Sequence, residues 1–155
     1  MFCIDTDLYQ ATDLFDSGVM KTAMELSRFG GGGTALGLCG EVFNDRGNRW
    51  GRPDLVVVVS DNESWADRSY WGNQSTKLMD EWTKYKHHNR NARLVLLDLV
   101  PSSNSQVKTR PDVLNVAGFS DKVFDVIAAF ASADDSADFW MRQVEAQTAC
   151  LAARA

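Results

Sequence analysis

The chain has 155 residues, 45% of them hydrophobic and 24% charged, with a formal net charge of -5 at pH 7. Those proportions belong to one ordinary globular domain, residues 1–155, and exclude a disordered segment; the acidic balance argues against nucleic acid held by a general basic surface. No apolar run approaches the roughly 18 residues that span a bilayer, and Met1-Phe2-Cys3-Ile4-Asp5 lacks the basic-then-apolar order of a signal peptide.

Cys3, Cys39 and Cys150 are widely spaced and form no CxxC pair. That pattern suits a reducing compartment in which thiols act as small core residues, so a cytoplasmic protein is expected.

Residues 1–9 read as a short strand. Residues 19–29 read as a helix with Met20, Ala23 and Met24 in line, ended by Gly30 to Gly33, which free the backbone for unusual dihedrals. Thr34 is expected to begin another helix, with Leu36, Cys39, Val42 and Phe43 as its buried side. After Pro53, the run Asp-Leu-Val-Val-Val-Val-Ser over residues 54–60 is continuously apolar, the mark of a strand buried on both faces of a parallel sheet. Residues 75–86 form a helical pattern with Leu78, Met79, Trp82 and Tyr85 on one stripe, and residues 92–98 form a second apolar strand. Strand, helix, strand at this spacing is a βαβ unit. A weaker strand at residues 113–116 precedes a helix opened by Ser120-Asp121, with Val123, Val126, Ile127 and Phe130 at helical spacing. A last helix is expected over residues 136–150. The order βα, α, βα, βα and a final helix predicts a doubly wound α/β domain: a mostly parallel open sheet with helices on both faces.

In such a sheet, ligands bind outside the carboxyl ends of the strands. Two segments should arrive there: Ser60-Asp61-Asn62-Glu63-Ser64 after the valine-rich strand, and Thr34 behind its four glycines. A carboxylate and a hydroxyl make hard oxygen ligation suited to Mg²⁺ or a similar cation. Read separately, the glycines also suit a plain helix–helix connection, and Asp61 a turn cap.

Taken together, the glycines with Thr34-Ala35, the strand ending Ser60-Asp61-Asn62-Glu63, and Leu114-Asn-Val-Ala-Gly-Phe-Ser-Asp121 with Val123-Phe-Asp-Val-Ile127 resemble a known family. They are similar to the von Willebrand factor A-type domain that closes Ro (TROVE-module) RNA-binding proteins, over roughly residues 1–131. The resemblance implies a metal-ion-dependent adhesion site in which Thr34 and Asp61 match two of three ligand-bearing loops. It also implies a role in binding small non-coding or defective RNA, most of whose contacts come from helical repeats that this chain does not contain. One departure is plain. The family's first strand, which carries Asp-x-Ser-x-Ser and is central, has no counterpart here; Ala133 to Asp138 follows a helical pattern, and Asp5-Thr6-Asp7 falls on the family's second strand. A partner protein or a second copy is expected to supply that strand, unless strands close over the gap or the chain is a fragment, because two unpaired edges are a liability.

The leading expectation is a non-enzymatic binding module of a Ro-like ribonucleoprotein, bridging through Mg²⁺ or another divalent cation to an acidic group on RNA or protein. Thr34 and Asp61 would hold the metal, and Glu63, Ser64 and Trp65 would meet the ligand. The alternatives are an Mg²⁺-dependent phosphoryl-transfer enzyme or nuclease using Asp61, Glu63 and Asp98, and a metal-free structural fragment. No Ser/His/Asp or Cys/His set is spaced for covalent catalysis. Trp65, Tyr70 and Trp71 could stack on a base or pack over the sheet edge. Residues 84–90, Lys-Tyr-Lys-His-His-Asn-Arg, read as a solvated helix end whose cations suit the helix dipole, at the end of the sheet opposite Asp61.

Overall fold

The computed structural model describes residues 1–11, 18–29, 34–45, 51–61, 76–100, 110–118 and 120–132, with positions 141 and 145. The chain opens with β1 (Phe2–Ile4) and β2 (Leu8–Gln10), then α1 (Val19–Leu26) and α2 (Gly37–Asn44). It continues with β3 (Leu55–Ser60), α3 (Lys77–His88), β4 (Arg93–Asp98), β5 (Val113–Ala117) and α4 (Lys122–Ser132).

The expected single strand at residues 1–9 is an antiparallel hairpin, with Cys3 opposite Tyr9. The backbone N–H of Asp7 donates to Asp5 Oδ1 at 2.8 Å, an aspartate-stabilised turn that reverses the chain within three residues. The second sheet is parallel, in the order β3-β4-β5, with Val57 opposite Val95 and Leu96 opposite Asn115. It is flanked by helices.

Burial corrects one expectation. Residues 54–60 were expected to be buried on both faces, yet Val57 and Val59 are 42% and 56% exposed. The doubly buried strand is β4, where Leu94, Val95, Leu96 and Leu97 are all at or below 5%. An apolar run specifies that two faces seek cover; pairing order decides which strand receives it, and β3 has one neighbour among the described residues.

The core lies between the sheet and the α2–α3 pair. Leu78, Met79, Trp82 and Tyr85 of α3 pack with Leu36, Val58, Leu94, Leu96 and Val113, as the helical stripe predicted. Phe43 meets Trp82 and Tyr85 edge-on at 6.1 and 4.9 Å. The polar ends of these rings are satisfied, Trp82 Nε1 donating to Asp112 Oδ2 and Tyr85 Oη to the Pro53 carbonyl, at 2.8 and 2.9 Å. Helices α2 and α3 approach closely because α2 presents glycine: a Cβ on Gly40 would stand 2.2 Å from Glu81 Cβ. On the other face, the Arg93 guanidinium lies 5.1 Å from the Phe130 ring centre, which sets α4 there. In α4, Val123 and Phe130 are buried and Val126 and Ile127 half-buried, as their spacing predicted.

Helix α1 departs from its pattern. Met20 and Met24, which were in line on the expected helix, are 76% and 66% exposed, and Thr22 is the buried residue. The expected helix at residues 136–150 lies outside the described residues except at positions 141 and 145, which are both helical.

Candidate functional site

A cavity of about 780 Å³ runs between the two sheets. One wall is β1, through Phe2, Cys3 and Ile4; the other is the whole of β3, from Pro53 before it to Asp61 after it. Leu36, Cys39, Val42 and Phe43 of the α2 segment form the floor. These are the four residues whose spacing marked a buried helical side, so the amphipathicity of α2 is what makes the lining apolar. Burial pushes the Cys3 thiol above its ordinary range, against the pull of the N-terminal ammonium. Cys3 therefore stays a neutral thiol at physiological pH and contributes to the site as a small apolar group.

Two sequence-predicted site residues, Thr34 and Asp61, both line this cavity. Asp61 follows the last residue of β3, and Ser60 Oγ donates to its Oδ1 at 3.4 Å. Thr34 is held near the hairpin turn, because the next residue, Ala35, donates its N–H to the Asp5 carbonyl at 2.8 Å. Thr34 was expected to begin α2. The helix instead starts at Gly37, with Leu36 in the N-cap position. The other candidates, Glu63, Ser64 and Trp65, lie outside the described residues, as do Gly30 to Gly33, Tyr70 and Trp71.

Asp98 stands opposite Ser60 in the β3–β4 register, but its carboxylate accepts the Val100 N–H at 3.1 Å and does not line the cavity. The basic segment sits where it was expected. Lys86, His87 and His88 occupy the last turn of α3, and Asn89 Nδ2 reaches Asp54 Oδ1 at 2.8 Å, at the start of β3 and away from Asp61.

Among the described residues, no group of three or more His, Cys, Asp or Glu side chains could hold a metal ion. Among the described residues that line the cavity, the side-chain oxygens belong to Asp61, Thr34 and Ser60. This is oxygen chemistry of the kind Mg²⁺ accepts, since that ion keeps several waters and takes one or two carboxylates. The set is small, and water would fill most of the roughly six positions.

Sequence reasoning missed the β1 wall. Its signal was local: Phe2 and Ile4 alternate ahead of Asp5-Thr6-Asp7, a turn-forming triplet that ends the first strand.

No family model, curated protein or solved structure matches the chain.

Proposed function

We propose that the chain is a binding module with a von Willebrand factor A-like fold, related to the closing domain of Ro proteins. It recognises an acidic group on RNA or protein through a divalent cation held at Thr34 and Asp61, in the service of small non-coding RNA binding or RNA quality control. One observation supports this reading above the others: Thr34 and Asp61, far apart in the sequence, line one cavity. Asp61 does so at the carboxyl end of β3, the end at which open α/β sheets take their ligands. Asp61 supplies the charge, and Thr34 and Ser60 supply neutral oxygens. The bound cation would offer an open position to a carboxylate or phosphate oxygen of the ligand, and Glu63, Ser64 and Trp65 follow in sequence to contact that ligand.

Calorimetric titration with Mg²⁺ and Mn²⁺ tests the reading. One protein carboxylate predicts weak affinity, about 10⁻⁴–10⁻³ M. Asp61→Ala should abolish it and Thr34→Ala should weaken it several-fold. Binding indifferent to Asp61→Ala, or no binding at millimolar cation, would remove the metal bridge. Micromolar affinity lost with Asp61→Ala would mean that further ligands complete the site.

A further inference from the structure

We infer that the basic carboxyl end of α3 is a contact surface for the phosphate backbone of single-stranded RNA. It lies at the amino ends of β3 and β4, opposite Asp61, and needs no metal ion.

The acidic balance of the whole chain hides a local excess of positive charge. Residues 84–93 read Lys-Tyr-Lys-His-His-Asn-Arg-Asn-Ala-Arg, without one Asp or Glu and with both of the chain's histidines. The fold brings further cations to this end. Arg52 Nη1 donates to the His88 carbonyl at 3.4 Å, which lays Arg52 across the last turn of α3. Arg110 Nη1 donates to Thr83 Oγ1 at 3.1 Å from the segment before β5. Lys86 Nζ donates to the carbonyls of Arg90 and Ala92. A carbonyl carries no net charge, so these bonds orient Arg52 and Lys86 without neutralising them. Asp112 answers two cations with one carboxylate, Arg110 at 3.0 Å and Lys86 at 3.8 Å. Asp54 accepts from the neutral Asn89 amide at 2.8 Å. Lys84 is left out of the surface, because Glu81 holds it at 2.5 Å. Arg52, Lys86, Arg90 and Arg110 thus stand against Asp54 and Asp112, and the α3 dipole offsets about half a charge more. The surface stays positive in a chain whose total is -5.

The groups beside these cations select the partner. His87, His88 and Asn91 are exposed, and such planar rings and amides stack on bases or bond to their edges. Among the described residues, no exposed large hydrophobic side chain falls within 51–54, 84–93 or 110. Protein partners and membranes take hold through side chains of that kind, whereas a phosphate chain does not need them. The arginine fork matches a phosphate with two parallel hydrogen bonds. Bases of a single strand are free to meet the histidine rings, while those of a duplex are stacked inside it. Arg52, Arg90 and the Lys86–Arg110 pair then answer about three phosphates. This surface stands apart from the cation site at Thr34 and Asp61, and either can fail without the other.

Fluorescence anisotropy of a labelled oligouridylate on the full chain tests this, in EDTA so that no divalent cation contributes. Binding at about 20 mM NaCl should show a Kd of about 10⁻⁵–10⁻⁴ M, and a tenfold rise in NaCl should weaken it about 100-fold, as three phosphate contacts on a single strand require. Arg52→Gln with Arg90→Gln should weaken low-salt binding at least tenfold and cut the salt effect to about fivefold. His87→Ala with His88→Ala should weaken RNA binding at least fivefold and leave inorganic polyphosphate, which has no bases, unaffected. Asp61→Ala should change nothing, which separates this surface from the cation site. Should a variant fail to fold, an NMR titration of the unmutated chain decides: the amides of residues 86–91 should shift with RNA and that of Asp61 should not. No binding at low salt, as when an acidic stretch of the chain itself holds these cations, would overturn the inference. So would binding indifferent to Arg52 and Arg90, or polyphosphate, poly-glutamate or anionic vesicles bound as tightly as RNA.

Discussion

Gly40→Ala tests the contact on which the floor of the cavity rests. The added Cβ would stand 2.2 Å from Glu81 Cβ, 3.0 Å from Glu81 Cγ and 3.6 Å from Glu81 Cα. Carbon atoms settle at about 3.5–4.0 Å, so α2 must retreat from α3 by roughly 1.5 Å. The obstructing atom is the first carbon of a side chain on a packed helix, and no rotamer change moves it. Overpacking of this kind costs about 1–3 kcal/mol and sometimes more. Alanine recovers up to about 1 kcal/mol of helix propensity over glycine. The net loss should be about 1–2 kcal/mol, or a fall in Tm of about 2–8 °C for a chain of this size. Gly37→Ala is the milder comparison. Its Cβ would meet Lys77 Cγ and Cδ at 2.6 and 2.7 Å, on a side chain 43% exposed that has room to swing aside, but also the fixed Lys77 Cβ at 2.8 Å, a smaller overlap than the 2.2 Å at Gly40. It should cost less than Gly40→Ala, about 1 kcal/mol. Thermal melts by circular dichroism on both variants decide the matter. A Gly40→Ala chain as stable as the parent, or less affected than Gly37→Ala, would refute the close approach of α2 and α3.

Trp82→Phe removes the indole N–H that reaches Asp112 at 2.8 Å and leaves space beside a fully buried ring. Urea denaturation should show a loss of about 2–4 kcal/mol, and a loss below about 1 kcal/mol would contradict the buried hydrogen bond. Burial acts to raise the Glu81 carboxyl, but hydrogen bonds from Lys84 and Asn44 and the nearby lysine charges prevail and hold it below its ordinary value of 4.5. A depressed carboxyl contributes stability that is complete above its unfolded value and is lost as pH falls through the lower folded value. Glu81→Gln should therefore be less stable than the parent at pH 7, with the gap closing on acidification below about pH 4.5 in a pH series of melts. A gap that stays constant to pH 3 would show that the Glu81 charge contributes nothing.

Much of the architecture was legible because it is written in short-range patterns. The stripe Leu78, Met79, Trp82, Tyr85 has helical period and an apolar face, and those side chains fill the core. The apolar segments at residues 92–98 and 113–116 became parallel strands, and the cationic end of α3 lies at the start of β3, at the end of the sheet opposite Asp61 as expected. Thr34 and Asp61 were paired from residue chemistry, and the fold brings both to one cavity. What the sequence could not express is neighbourhood. The valine run reads as a strand covered on both faces, yet among the described residues β3 has one neighbour, β4, and Val57 and Val59 stay exposed, because exposure depends on which edges pair. Met20 and Met24 have helical spacing, and only the position of α1 in the fold leaves them outside. Gly37 and Gly40 look like weak helix residues until α3 is set against them, where the missing Cβ is what lets the helices meet. Periodicity tells each segment that it has an apolar side. Tertiary structure alone decides what that side meets, and at β3 it leaves Val57 and Val59 exposed while Val58 enters the core.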